Sequence, residues 1–150
     1  MITVVLTVSK DTVYQEVAKT TAYTGAKMKD EPQAYDRIPV IDADKVQLDR
    51  FWREACHTAT QLFMPFLVTT DQEVDYVATL QMSGSYDANL NDSVQGALGS
   101  MFVNHLIRKW FEFTNRGDLE LYQQLELDAL RKLRSMIYYR KKPKYTIPQQ

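Results

Sequence analysis

Asn91-Asp-Ser-Val-Gln-Gly-Ala-Leu-Gly-Ser-Met-Phe-Val-Asn-His-Leu-Ile-Arg-Lys-Trp-Phe-Glu-Phe-Thr114, then Asn115-Arg-Gly-Asp118, then Leu119 to Arg140, carries the clearest periodicity in the chain. Val94, Ala97, Leu98, Met101, Phe102, Leu106, Trp110 and Phe113 recur every three or four residues and predict a helix over 91–114. Leu119, Tyr122, Leu125, Ala129, Leu133, Met136 and Ile137 do the same over 118–140. Between them, Gly117 is expected to supply a left-handed C-cap residue and Asp118 to cap the next helix. So short a link makes the two helices an antiparallel hairpin. Gly96, Ala97, Gly99 and Ser100 are small enough to let another backbone come close.

Upstream, Leu48, Phe51, Trp52, Ala55, Cys56, Ala59, Leu62, Phe63 and Phe66 form a wide apolar face on a helix over 43–65, ended by Pro65. The period then changes. Phe66 to Thr70, a polar turn at Asp71-Gln72-Glu73, and Val74 to Met82 read as a β-hairpin over 66–82, with Tyr76, Ala78, Leu80 and Met82 on one face. This two-stranded ribbon, with Asp71, Gln72, Glu73 and Tyr76, is expected to serve assembly rather than the core. Residues 2–8 are β-branched and apolar, as in a strand. A shorter helix over 12–24 follows, with Val13, Val17 and Thr21 inward and Thr12-Val-Tyr-Gln15 as a capping box. Residues 28–41, with Pro32 and Pro39, read as a loop or arm. The whole is a single mainly α domain: a bundle of three long helices and a shorter N-terminal one, with a strand and one hairpin.

The composition suits one globular domain: 150 residues, 45% hydrophobic and 25% charged. One cysteine and two histidines exclude a disulfide framework, a four-cysteine zinc site and a histidine-rich metal site. No basic segment precedes the apolar N-terminal run, as a secretory signal requires, and no uncharged stretch is long enough to cross a bilayer. Folding in a cytoplasm, away from membranes, is expected.

Candidate chemistry is sparse. Cys56 and His57 are neighbours, but consecutive helical residues point about 100° apart, so they do not form a thiol–imidazole pair. Glu54-Ala-Cys-His57 has the spacing of a carboxylate-bridged di-iron motif, yet His105 has Phe102, not a glutamate, three residues before it. Nucleotide-loop, hydrolase and zinc-protease motifs are missing. These readings predict no catalytic residue, no metal site and no cofactor.

Charge is uneven. Seven of the 18 basic residues, Arg131, Lys132, Arg134, Arg140, Lys141, Lys142 and Lys144, fall after residue 130 with no acid among them. The first 130 residues therefore hold 11 basic residues against all 19 acids, a net of −8. A helix C-terminus accounts for Arg131 to Arg140 but not for the lysines around Pro143. The expected partner-binding segment is the extended tail over 141–150 with Arg140 at its root: Arg140, Lys141, Lys142 and Lys144 supply charge, Tyr145 and Ile147 apolar anchors. If nucleic acid is met, the tail meets it; an acidic body argues against duplex binding by the domain.

Tyr86-Asp87, Val103-Asn104, Lys109-Trp110-Phe111, Thr114, Tyr122 and Tyr139-Arg-Lys-Lys-Pro143 make the stretch from Tyr86 to Pro143 resemble the C-terminal half of small proteins of tailed phages and prophages of Bacteroides-type bacteria. Those proteins are encoded among virion structural genes. The resemblance implies a head–tail connector, or adaptor, or a related ring protein of the neck. It implies a homo-oligomeric ring on the portal, contact with neighbouring neck or tail proteins and in passing with DNA, and a place in the virion after assembly in the host cytoplasm. The N-terminal strand and the hairpin depart from the simplest connectors. The alternative is a small cytoplasmic partner-binding or regulatory helical domain without catalysis.

Overall fold

In the computed structural model, which describes residues 1–28 and 34–143, the strand β1 (Ile2–Val8) is the first element and one edge of a sheet. Its alternation puts Val4, Leu6 and Val8 on one face, and that face needs an apolar floor. It finds one by pairing antiparallel with β3 (Tyr76–Met82), from Ile2 opposite Met82 to Val8 opposite Tyr76. The strand β2 (Leu67–Asp71) pairs with the other side of β3, with a register shift between Leu67 and Thr69. The order β1-β3-β2 corrects the expectation of an isolated ribbon. β3 is the central strand, and Tyr76, Ala78, Leu80 and Met82 are buried with the β1 residues. β3 is therefore part of the core, whereas β2 and the turn after it are largely exposed.

The helix α1 (Lys10–Lys27) starts two residues earlier than its capping pattern suggests, because Ser9 caps it by accepting from the Thr12 amide at 3.3 Å. It also runs through Gly25. A Cβ there would lie 3.1 Å from Pro39 Cδ and 3.2 Å from the Ala34 carbonyl, so the glycine admits the neighbouring segment. That segment contains the single-turn helix α2 (Ala34–Arg37) and is pinned to the body. Trp110 Nε1 donates to the Ile38 carbonyl at 2.5 Å, and the Val40 amide donates to Thr21 Oγ1 at 3.1 Å. The second half of the expected loop is thus packed structure.

Helix α3 (Lys45–Phe63) buries Leu48, Phe51, Trp52, Ala55, Cys56, Ala59 and Phe63 as its stripe predicts, and passes into a 3-10 turn containing Pro65. Helices α4 (Asn91–Thr114) and α5 (Leu119–Tyr138) form the expected hairpin. Its antiparallel sense follows from Phe111 against Tyr122 at one end and Ser93 facing Met136 at the other. No described residue has positive φ, so Gly117 is not a left-handed cap. Asn115 closes the link by donating from Nδ2 to Asp118 Oδ2 at 2.7 Å.

Two stripe assignments are corrected. Phe113 is exposed, resting one ring face on Phe51, while Phe111 is buried. On α5 the buried line runs through Glu126, Ala129, Leu133 and Ile137, and Leu125 points outward. Neighbouring helical residues differ by about 100°, and Ala129, Leu133 and Ile137 outweigh the single leucine. The core joins the inner sheet face to α3 and α4, with Tyr76 and Trp52 both against Phe102.

Candidate functional site

The residues expected to meet partners are scattered. Arg140 is turned back on its own domain: Nη1 donates to the carbonyls of Ile137 at 2.7 Å and Tyr139 at 2.8 Å, and the guanidinium lies over the Phe66 ring. It caps the end of α5, where unpaired carbonyls and the negative dipole end attract a cation. The Lys141 amide donates to the Ser85 carbonyl at 2.8 Å, fastening the chain beside the turn after β3. The side chains of Lys141 and Lys142 are exposed. Lys144, Tyr145 and Ile147 lie outside the described residues. Asp71, Gln72 and Glu73 form an exposed turn in which Asp71 Oδ1 accepts from the Glu73 amide at 3.0 Å. Tyr76 does not belong with them: it is fully buried, and its hydroxyl hydrogen-bonds Thr60 at 3.0 Å. It cannot touch a partner and acts in the core.

The densest polar constellation is one that sequence reading passed over. His105, on α4, is almost fully buried between two carboxylates from different helices. Its Nδ1 is 2.7 Å from Glu126 Oε1 of α5, and its Nε2 is 3.3 Å from Glu54 Oε2 of α3. The ring thus bridges the two acids, one nitrogen facing each. Arg108 Nε donates to the other Glu126 oxygen, and its Nη1 reaches Glu112 at 3.2 Å. Lys109 and Arg50 flank Glu54 at 3.7 and 3.8 Å. Burial alone would raise the Glu126 pKa; the hydrogen bonds and positive charges of His105 and Arg108 outweigh it and hold the carboxyl below its usual range. The cluster ties α3, α4 and α5 together at one level.

Glu54 thus turns to His105 rather than to His57, which is exposed on α3. Among the described residues, no three His, Cys, Asp or Glu groups converge as a metal site. Cys56 is buried and free, and burial pushes its thiol up to about 12. A second polar contact, Tyr14 hydroxyl to Asp49 with Lys10 Nζ at 3.0 Å from the same carboxylate oxygen, joins α1 to α3. Burial, then the hydrogen bond and charge of Asp49, raise the Tyr14 pKa. The signal for the main cluster lay in the spacing of Tyr122, Glu126, Ala129 and Leu133, which places an acid on an otherwise apolar line.

A groove of about 780 Å³ lies between α4 and α5, lined among others by Gly96, Ala97, Ser100, Leu125, Arg131 and Lys132. A Cβ on Gly96 or Gly99 would touch nothing within 4 Å, so no backbone of the described chain uses these small residues. Among the described residues, no helix is long and apolar enough to cross a membrane. Comparison of the chain with protein-family models, curated proteins and solved structures gives no match.

Proposed function

We propose that the protein is a structural subunit of a tailed-phage neck, a head–tail connector or related ring protein that docks on the portal. The observation that carries the reading is the end of α5. Lys141 and Lys142 stand exposed on a segment that has left the helix and is fastened at the Ser85 turn and, through Arg140, at the end of α5, at the basic end of an otherwise acidic chain. A segment of this kind finds an oppositely charged surface by steering and gains affinity from apolar anchors once seated. The residues Tyr86 to Pro143 that resemble phage proteins span this segment and the helical hairpin beneath it. The buried cluster at His105 supports the same reading, since it braces three helices against one another, as a load-carrying subunit needs.

The test is direct. The genes flanking this one are read for a portal gene, the protein is co-expressed with the portal protein so found, and particles are imaged with class averaging. Density for a ring of this subunit on the portal, lost on truncation after Tyr139, is the expected result. A genome with no portal or capsid gene near this one, or portal particles that never recruit it, refutes the proposal.

A further inference from the structure

β1 is one edge of the sheet, and only part of that edge is open. It pairs with β3 without a break from Ile2 to Val8, and the backbone groups of alternate residues point to opposite sides of such a strand. Gln95, on α4, shows which side is which. Its Oε1 accepts from the Thr7 amide at 2.9 Å, and its Nε2 donates to the Thr7 carbonyl. A side-chain amide thus meets Thr7 as the peptide of a neighbouring strand would. Thr3, Val5 and Thr7 therefore turn their amides and carbonyls away from β3, and Gln95 closes the edge at Thr7. Among the described residues, nothing takes the outward groups of Thr3 and Val5. Val5 is 57% exposed, and residues 2–8 carry no charged side chain. Free edges are ordinarily blunted by charge, proline or a bulge; this stretch has none of them.

We propose that β1 of a second copy adds to this edge, antiparallel, about a two-fold axis at Val4. The free groups select both the partner and the register. With Val4 facing Val4 of the other copy, each Thr3 faces a Val5, and the two exchange both hydrogen bonds. Every outward donor at Thr3 and Val5 then meets an outward acceptor, and none is left over. Gln95 stays on Thr7 in both copies. An axis at Val5 would instead set Thr3 against Thr7, whose groups Gln95 already holds. Charge favours a second copy as well: an uncharged strand meets its own kind with no like-charge pair and buries no unpaired charge. The side chains match on both faces. Val4 meets Val4 and Ile2 meets Leu6 on the core side, and Thr3 meets Val5 on the outer side, pairs of the kind that stabilise a sheet. The contact is isologous and joins two three-stranded sheets into one. The pairing holds whether or not the chain serves in a phage neck.

Charge variants and cysteines test the pairing on the full chain. One variant carries Thr3→Lys and Val5→Lys, the other Thr3→Glu and Val5→Glu. Both side chains are on the exposed face of β1, so circular dichroism and thermal melting should show both variants folded. Sedimentation velocity is run over a concentration series at low salt. The wild type is expected to form a dimer with rising concentration, each variant alone to dimerise at least tenfold more weakly, and an equimolar mixture to recover wild-type association. Recovery follows because each lysine then faces a glutamate. Cysteines fix the register. Thr3 and Val5 of the other copy, directly paired, lie about 5.5 Å apart between Cα atoms, within disulfide reach. Val5 and Val5 of the other copy are diagonal, ~7–8 Å apart. Thr3→Cys mixed with Val5→Cys should therefore cross-link on oxidation, and neither should do so alone; Cys56 is buried. The cysteine pair adds no charge and decides the matter if a charge variant melts early. A wild type that stays monomeric throughout overturns the proposal, as do charge variants that dimerise normally, a mixture that does not recover, or cross-linking through Val5→Cys alone.

Discussion

Replacing Glu126 by glutamine removes the charge that balances His105 and Arg108 while keeping the shape of the side chain. The carboxylate accepts from His105 Nδ1 at 2.7 Å and from Arg108 Nε. Hydrogen bonds to charged groups contribute about 1.5–3 kcal/mol each, and breaking a buried pair by removing one partner costs about 3–5 kcal/mol. Arg108 is the more exposed partner and keeps Glu112 at 3.2 Å, so its share is partly recovered and a loss of about 3 kcal/mol is expected. With an unfolding entropy of about 2.1 cal/mol/K per residue, that lowers Tm by about 10 °C. The sign of the pH dependence follows from the depressed Glu126 pKa. A depressed carboxyl contributes stability that is present above its unfolded value and lost as pH falls through its folded value. The gap between wild type and Glu126→Gln should therefore be widest near neutrality and close as pH drops through that range. Urea unfolding followed by circular dichroism at a series of pH values measures both effects. A gap under about 0.5 kcal/mol at pH 7, or one that does not change with pH, would refute the account of the cluster.

Leu133→Ala should cost about 2–5 kcal/mol, whereas Leu125→Ala should cost well under 1, since one side chain is buried and the other lines the open groove; denaturant midpoints compare them. Gly96→Ala should stabilise the free chain by up to about 1 kcal/mol through helix propensity, because nothing meets the added Cβ. Gly25→Ala should lower Tm instead, since its Cβ would press on the Ala34 carbonyl and Pro39. Cys56 should react with a thiol reagent at pH 8 only as fast as the protein opens, because burial keeps the thiol protonated and covered; labelling as fast as in denaturant would contradict its placement.

The helices were legible because their apolar stripes are long. The bounds of α4 agree with the reading over 91–114, and the buried face of α3 with its stripe. The sheet was half legible. Alternation placed Tyr76, Ala78, Leu80 and Met82 on one face, but a strand's period says nothing about which distant strand it joins. The pairing of β1 with β3 therefore had no local signal. At Leu125 and Glu126 a rule that favours leucine over glutamate failed. The acid is held inside by a histidine and an arginine on another helix, and such compensation is invisible along one stripe. Lys144, Tyr145 and Ile147 remain expectations of the sequence.

The pairing of β1 with β3 also orders events in time. Ile2 to Val8 must wait for Tyr76 to Met82 before any of its backbone groups finds a partner. At synthesis rates of about 5–20 residues per second, the roughly 70 residues between them take about 4–14 s to emerge. Through that interval an uncharged, β-branched segment stands unpaired on the nascent chain, with the composition that favours strand-to-strand aggregation. Helices α4 and α5, by contrast, need only each other and a short link, and loops of that length close in well under a microsecond. Expression at lower temperature or with a trigger-type holdase should therefore raise the soluble yield by protecting β1, and mutations that slow the closing of the sheet should lower that yield more than they lower Tm.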